Sequence, residues 1–185
     1  MVLCCVIIES KMSNYEIVEK YFKAVCDAYA LGNVESSYYT PIISLFTDIG
    51  CAARDLSGER SGQTGENIDI KLWHTEEEVT ETEPFAGIEA KKVGGIDQRA
   101  KEQILVELEK YGNVILTDNF GWRFWCDGNK NMYTGIQIIE LVEGKPKLKK
   151  EMIDLFVSLL NDFILKSPTQ IKSSNRLAEY MAIHE

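Results

Sequence analysis

The sequence has little of what a zinc-binding or disulfide-linked protein needs. It holds five cysteines and only two histidines among 185 residues. No two cysteines stand in the Cys-x-x-Cys spacing of a zinc site, so zinc is not expected. An odd number of cysteines without a secretory signal indicates reduced thiols, and hence a cytoplasmic protein.

Long hydrophobic runs are also missing. The apolar run of residues 2–8 is far shorter than the roughly 20 residues that cross a bilayer. It lacks the basic start and the small-residue cleavage site of a signal peptide, so no membrane partner is expected. Met12-Ser13-Asn14 is a more natural start than Met1. Residues 1–14 are therefore interpreted as an N-terminal extension, which reflects an upstream start or a non-native addition.

Positive charge is scarce as well. Lysine and arginine number 20 against 29 aspartates and glutamates, which gives a net charge of −9. This balance argues against a large basic face for nucleic acid, so a DNA enzyme of this composition would need other domains to deliver its substrate. Residues 76–83 hold five of the carboxylates and are interpreted as a solvated loop.

What the sequence does contain is a regular alternation of helix and strand patterns. The predicted helices are 15–31, a second one capped by Thr40 before Pro41 and reaching Ala53, 97–111 behind an Asp97 cap, and 149–165. The predicted strands are 67–73, 85–92, 114–117, 122–126 and 133–141, with a loop at 56–66 and a hairpin turn at Asp127-Gly128. A helix between the second and third strands allows a crossover. The expected fold class is therefore α/β, with a mixed central sheet flanked by helices.

Two carboxylates and a lysine form the candidate site. Hydrolysis of a phosphodiester needs a hard cation and an activated water, and Mg²⁺ is held by a few carboxylates. Glu89 and Lys91 project to one face of their strand because side chains alternate. Asp69, in the middle of the preceding predicted strand, can lie beside Glu89 if the two strands pair antiparallel.

Several features leave alternatives open. The pattern Asp/Glu-x-Lys occurs four times, and chance gives about one or two from average residue usage. Asp69-Ile70-Lys71 is a rival with Glu59 as its upstream acid, and an ordinary surface ion pair is the other alternative. His74 is either a metal ligand or a surface histidine. The aromatic group Trp122, Phe124 and Trp125 either stacks on bases or packs in the core, and alternation favours the core.

Beyond these physical arguments, five stretches carry a resemblance to a known family. They are Phe85-Ala-Gly-Ile-Glu-Ala-Lys-Lys, Gly95-Ile-Asp, Lys101-Glu-Gln, Asn113-Val-Ile-Leu-Thr-Asp and Trp122-Arg-Phe. In order and spacing they resemble the N-terminal nuclease module of type ISP and type IIG single-chain restriction-modification enzymes, which are PD-(D/E)xK nucleases. The resemblance covers roughly residues 33–130, and the tail around 174–183 is similar to the start of the spacer that follows the module.

The resemblance implies a restriction-endonuclease-like fold and a role for each matching residue. Asp69 and Glu89 would ligate Mg²⁺, which Mn²⁺ can replace, and Lys91 would act on the attacking water. Glu35 would complete the metal shell, unless it is an exposed carboxylate at a helix start. Gln103 would sit near the DNA backbone or the site, unless it is a plain surface glutamine. Glu107 stands where the family's Gln-x-x-x-Tyr motif has tyrosine, so half of that motif is missing.

The resemblance also implies partners. The substrate would be double-stranded DNA, cut in defence against phage, and methyltransferase, specificity and translocase domains would belong to the same enzyme. The sequence shows no GxxxxGK[ST] loop and no NPPY signature. Residues 15–166 are therefore interpreted as a nuclease domain and 167–185 as the start of a linker. The chain is then either a domain excised from a larger enzyme or a stand-alone protein. The alternatives are a catalytically inactive domain of the same fold that acts as an interaction or scaffold module, and a nuclease for RNA or branched DNA.

Overall fold

A six-stranded sheet lies at the centre of the computed structural model, which describes residues 12–55 and 68–166 and the backbone of Gln170–Ile171. The helices are α1 (Asn14–Ala30), α2 (Tyr39–Asp48), α3 (Glu78–Glu81), α4 (Gln98–Tyr111) and α5 (Ile153–Lys166). The strands are β1 (Ala52–Asp55), β2 (Ile70–Trp73), β3 (Thr82–Glu83), β4 (Ala86–Ala90), β5 (Val114–Thr117), β6 (Gly121–Trp125), β7 (Thr134–Gln137), β8 (Ile139–Val142), β9 (Lys145–Leu148) and β10 (Gln170–Ile171).

The central sheet is mixed, as the sequence predicts. Its strand order is β1-β2-β4-β5-β6-β7. Strands β4 and β5 run parallel and are joined through α4, while the other neighbouring pairs are antiparallel. Two small antiparallel pairs, β3 with β10 and β8 with β9, lie outside this sheet. The predicted mixed sheet flanked by helices is confirmed.

Alternation of side chains divides the sheet into two faces. The first face packs against α1, α2 and α5 and forms the main core. Its strand residues include Ile70, Leu72, Ala86, Ile88, Ala90, Ile115, Trp122 and Phe124. The second face packs against α4 in a smaller cluster. That cluster consists of Ile68, Ala100, Ile104, Leu108, Tyr111, Val114, Leu116 and Trp125. Consecutive residues of β4 and β5 thus belong to different layers, as the pleat requires.

Helix α2 begins earlier than the sequence suggested. A 3₁₀ helix, Glu35–Tyr38, leads directly into it, and Tyr38 occupies the cap position without a side-chain hydrogen bond to the helix backbone. The predicted Thr40 cap is therefore wrong. Pro41 is tolerated in the first turn because the N–H groups there have no partner within the helix.

The predicted end of that helix at Ala53 is also wrong. Gly50 takes a left-handed φ of 96°, and Cys51 N donates to Phe46 O at 2.9 Å, which closes the helix. Ala53 then lies in β1, paired with Leu72 of β2. Its apolar side chain fits a buried strand as well as a helix stripe, so periodicity alone misassigned it.

The predicted strand 133–141 is in fact two strands. Ile138 and Ile139 are both fully buried, which one straight strand cannot achieve because neighbouring side chains point to opposite faces. The chain bends there, so β7 stays in the central sheet while β8 pairs with β9. The Asp127-Gly128 turn is present, with left-handed φ values of 57° and 65°, but it lies in a longer connection between β6 and β7.

Three of the predicted helices are confirmed, whereas the predicted acidic loop is only partly correct. Helix α4 starts at the predicted cap, where Asp97 Oδ1 accepts from Ala100 N at 2.8 Å. The predicted helices 15–31 and 149–165 correspond to α1 and α5. The acidic stretch 76–83 is not only loop, since it contains α3 and β3. The predicted loop 56–66 lies outside the described residues. No helix in the described part of the chain combines the length and apolarity needed to cross a bilayer.

Candidate active site

Asp69 is held at the open end of the β2–β4 pair. It immediately precedes β2, so the expected position in the middle of a strand is wrong. Its Oδ2 accepts from Ala90 N at 2.9 Å, and its Oδ1 accepts from Tyr39 OH at 2.6 Å. The carboxylate thus takes the place of a strand partner for Ala90, and the buried tyrosine fixes its second oxygen.

Glu89 faces Asp69 across this pair. The antiparallel register pairs Ile70 with Ile88. Continued by one residue, it sets Asp69 opposite Glu89, which is the arrangement expected for an antiparallel pair. Ile88 and Ala90 belong to the main core, so Glu89 between them projects onto the second face. Its exposed fraction is 1%, and its Oε2 has no hydrogen-bond partner. A buried carboxylate oxygen without a partner is costly unless a cation or donor reaches it.

Lys91 follows the last residue of β4 and completes the predicted trio. Its main-chain N donates to Thr117 O at 2.8 Å. Its Nζ lies 2.5 Å from Glu89 Oε1 and 3.7 Å from Glu35 Oε1. Glu89 and Lys91 therefore share one face, as alternation predicted. Glu35, from the 3₁₀ helix before α2, also reaches the cluster.

Burial raises the pKa of both acids. The pKa of Glu89 rises to about 7, first because the carboxyl group is removed from water and then because Asp69 is close, although Lys91 opposes the change. The pKa of Asp69 is also raised, since burial outweighs the hydrogen bonds from Tyr39 and Ala90 and the charge of Lys91. The two carboxyl groups thus favour a shared proton or an added cation over two bare negative charges.

The acids also raise the pKa of the two groups that donate hydrogen bonds to them. Burial by itself lowers the pKa of Lys91, but the hydrogen bond and charge of Glu89, with the charges of Glu35 and Asp69, raise it overall. Burial and the hydrogen bond to Asp69 raise the pKa of Tyr39. Near neutral pH, therefore, Lys91 is an ammonium ion and Tyr39 a neutral donor.

The donor set fits a hard divalent cation in part. Asp69 and Glu89 offer carboxylate oxygens, which Mg²⁺ prefers, and the bare Glu89 Oε2 is an acceptor without a partner. Residues 12–55 and 68–166 hold no group of three or more His, Cys, Asp or Glu side chains arranged for a metal ion. Glu35 is 41% exposed and pairs with Lys91, so its place in a metal shell stays a prediction. Water would supply the remaining ligands.

Other predicted residues lie elsewhere. Gln103 is on α4, where it lines a groove with Arg99, Glu102, Val106 and Glu107, and its catalytic role stays a prediction. His74 stacks on Phe85 with ring centroids 4.2 Å apart, at the opposite end of β4 from Lys91.

The aromatic group packs in the protein interior. Trp122 and Phe124 are in the main core and Trp125 is in the second cluster. Core packing, the reading favoured by alternation, is therefore confirmed.

Two residues near the site were missed. Tyr39 carries no motif, and its contact with Asp69 joins residues 30 positions apart. Arg123 lies in the same row across the sheet as Glu89, since Glu89 pairs with Leu116 and Leu116 with Arg123. Its Nη1 is buried without a hydrogen-bond partner. An arginine among the alternating residues of a strand was the sequence signal that could have identified it, although β5 separates its strand from β4.

Comparison with known proteins supports the fold. No family model and no curated protein matches the chain. Among solved structures, it is similar to a chain in the cryo-EM structure of a DrdV–DNA complex, with a TM-score of 0.54 and 16% sequence identity. The similarity covers 80% of this chain and 14% of that chain. It supports the expected fold class, an α/β fold with a mixed central sheet flanked by helices.

Proposed function

We propose that this chain is a Mg²⁺-dependent endonuclease domain that cleaves double-stranded DNA. The observation that carries the proposal is the convergence of Asp69, Glu89 and Lys91 at the end of β4, with Glu89 Oε2 buried and without a partner. Buried acids with raised pKa values beside a lysine are typical of functional sites. The fold it adopts is also seen in a DNA complex.

In this proposal Asp69 and Glu89 hold the metal ion. A bound Mg²⁺ would supply positive charge to the phosphate oxygens and to the attacking water. Tyr39 keeps Asp69 in place, and Ala90 N fixes the second Asp69 oxygen. The Asp69 carboxylate is therefore preorganised by residues that do not react.

Lys91 serves the attacking water. Because its pKa is raised, its Nζ carries a full set of protons near neutral pH. The ammonium group can donate a hydrogen bond to the water or to a phosphate oxygen, and so orient the one and stabilise charge on the other. Glu89 and Glu35 hold the ammonium in position from two directions.

Arg123 would contact the DNA backbone. The residue is partly exposed, and a guanidinium group is suited to bind a phosphate. Strands are spaced by about 4.8 Å, so the row from Glu89 through Leu116 to Arg123 spans about 10 Å. The net charge of −9 disfavours tight DNA binding by this chain alone, so other domains would deliver the DNA. The resemblance to restriction-modification enzymes implies that these are methyltransferase, specificity or translocase domains.

The test is cleavage of supercoiled plasmid by the purified chain with Mg²⁺, Mn²⁺ or EDTA. We expect slow nicking without sequence preference that requires the metal. Lys91→Ala should reduce the rate by about 100-fold or more, as expected for loss of a group that acts on the proton or the charge. Lys130→Ala is the matched control, because that lysine is exposed and pairs with Glu109 on the surface. Equal rates for the two variants would reject the site.

The second candidate function is an interaction or scaffold module with an inactive site. It is favoured by the absence of a three-ligand metal group in the described ranges and by the close Glu89–Lys91 ion pair, which can replace a cation. Mn²⁺ titration followed by electron paramagnetic resonance separates the two functions. A nuclease should bind Mn²⁺ in a way that Glu89→Gln abolishes, whereas a scaffold module should bind none at this site.

A further inference from the structure

The segment that carries Lys91 leaves the sheet after Ala90 and is held by two asparagines. Main-chain atoms of Lys91 and Val93 are hydrogen-bonded to the side chains of Asn119 and Asn33. Each asparagine also accepts a hydrogen bond from a buried tyrosine. Neither asparagine belongs to the charged cluster.

Asn119 holds the segment from the side of β5. Its Nδ2 donates to Lys91 O at 3.1 Å, and its own N donates to Thr117 Oγ1 at 2.9 Å. Tyr21 OH lies 3.2 Å from both Asn119 O and Asn119 Oδ1. The exposed fraction of Asn119 is 0%. The bonds from Tyr21 and to Thr117 are therefore shielded from water, and the bond to Lys91 O is partly shielded, which makes their loss costly.

Asn33 holds the segment from the side of α1. Its Oδ1 accepts from Val93 N at 2.9 Å, and its Nδ2 donates to Val93 O at 3.2 Å. Tyr38 OH donates to the same Oδ1 at 2.7 Å. The side-chain amide thus pairs with Val93 as a neighbouring strand would. Because Glu35 follows two residues later, the same contact draws Glu35 towards Lys91.

We propose that Asn33 and Asn119 are positioning residues, which fix the main chain around Lys91 so that its ammonium group meets Glu89 and Glu35. This inference rests on the proposed nuclease function. A lysine side chain is long and flexible, and it stays at one place only if its own backbone is held. Asn119 supplies that restraint at Lys91, and Asn33 supplies it two residues later at Val93.

The backbone of both asparagines allows a sharp test. Their φ values are 53° for Asn33 and 69° for Asn119, in the left-handed region that asparagine and glycine tolerate. Replacement by glycine therefore removes the side-chain amide without backbone strain. Asn131→Gly is the matched control, because Asn131 is an exposed loop residue between β6 and β7.

The first measurement is hydrogen exchange of single amides. In Asn33→Gly the Val93 amide loses its acceptor, so its exchange should become at least about tenfold faster. The Phe85 amide, which donates to Leu72 O at the other end of β4, is the internal control. Asn33→Asp keeps the acceptor Oδ1 and should restore protection of Val93. Unchanged exchange of Val93 in Asn33→Gly would overturn the role of Asn33.

The second measurement is the acylation rate of Lys91, read by peptide mass spectrometry relative to its exposed neighbour Lys92. The Lys91 side chain is 18% exposed, so it should react slowly in the wild type. Asn33→Gly and Asn119→Gly should each raise the rate severalfold, and Asn131→Gly should not. A folded glycine variant in which Lys91 stays as protected as in the wild type would overturn the proposal.

The third measurement separates binding from catalysis. Both glycine variants should lower kcat by about tenfold or more while KM and DNA affinity in EDTA stay within about twofold. If the wild type cuts DNA and these variants cut equally fast, the positioning role is wrong and the nuclease function stands. If the wild type does not cut, the nuclease function fails, while amide exchange and acylation still decide whether the asparagines hold Lys91.

Discussion

The two faces of the central sheet differ in what covers them and in the charge that they hold. Three long helices and a large apolar cluster cover the first face. The second face has α4, a smaller apolar cluster and the charged groups Glu89 and Arg123. Both faces are formed by the same strands, so consecutive residues of β4 alternate between the apolar core and the face that holds the candidate site.

This contrast shows where a small protein can hold buried charge. A carboxylate on the first face would be enclosed by aromatic and aliphatic side chains with no route for a cation or water. At the end of β4, elements of both layers meet, and Glu89 finds Lys91 within 2.5 Å. The raised pKa of Glu89 shows that the environment still disfavours its charge. The site is therefore stabilised by the rest of the fold rather than contributing to it.

The largest expected effect is the loss of stability when a core residue of the first face is truncated. Phe156 is fully buried and lies 5.3 Å from the ring of Trp122. Phe156→Ala should lower the free energy of unfolding by about 3–5 kcal/mol, because it removes apolar burial and leaves a cavity. Leu155→Ala, on the exposed side of the same helix, should cost less than about 1 kcal/mol. Urea unfolding measures both, and similar losses would contradict the assignment of the main core.

An intermediate effect on stability is expected from Glu89 on the second face, and it depends on pH. The folded protein keeps the Glu89 proton from the ordinary glutamate pKa of 4.5 up to about 7, so Glu89 lowers stability as pH rises through that window. Glu89→Gln should therefore be more stable than the wild type at pH 8, by about 1–3 kcal/mol, and lose cleavage.

The pH dependence provides the control for this prediction. The stability advantage of Glu89→Gln should shrink towards pH 5, where the wild-type side chain is protonated in the folded protein. Glu109→Gln, an exposed partner of Lys130, should show no such trend. Thermal unfolding at pH 5 and pH 8 gives the answer, and an advantage that is larger at pH 5 would contradict the buried position of Glu89.

The smallest effect tests the link between the two layers. Tyr39 belongs to the main core but donates to Asp69 at 2.6 Å. Tyr39→Phe should cost about 1–2 kcal/mol, because a buried hydrogen bond to a charged group is lost. It should also raise the pKa of Asp69, since that hydrogen bond lowers it. Tyr15→Phe is the control, because the Tyr15 hydroxyl accepts its hydrogen bond from Lys150 at the exposed surface, where such a bond contributes little. Equal unfolding curves for the two variants would show that Tyr39 does not stabilise Asp69.

Much of the candidate site could be predicted because it depends on local geometry. Glu89 and Lys91 share a face since strand side chains alternate, and this needs no knowledge of the rest of the chain. Asp69 meets Glu89 because β2 and β4 pair antiparallel in the register that the apolar residues favour. The errors at Thr40, Ala53 and residues 133–141 concern element ends, where apolar patterns suit more than one structure.

The remaining partners could not be predicted, since they join distant parts of the chain. Tyr39 reaches Asp69 across 30 residues, Asn33 reaches Val93 across 60, and Asn119 reaches Lys91 across 28. Tyrosine and asparagine are common in loops and helices, and nothing in their spacing marks them as part of a site. Asn33 and Tyr39 become neighbours of the site only because the segment between α1 and α2 packs against the end of β4, and Asn119 only because β5 pairs with β4.

The sequence by itself determined the strand and helix patterns, the mixed sheet and the side of β4 on which Glu89 and Lys91 lie, because these follow from backbone periodicity. The tertiary structure alone decided which oxygen is left without a partner, which tyrosine holds Asp69 and which asparagines hold Lys91. The physical reason is that hydrogen bonds act over about 3 Å, so their partners depend on how whole layers pack and not on the residues nearby in the chain.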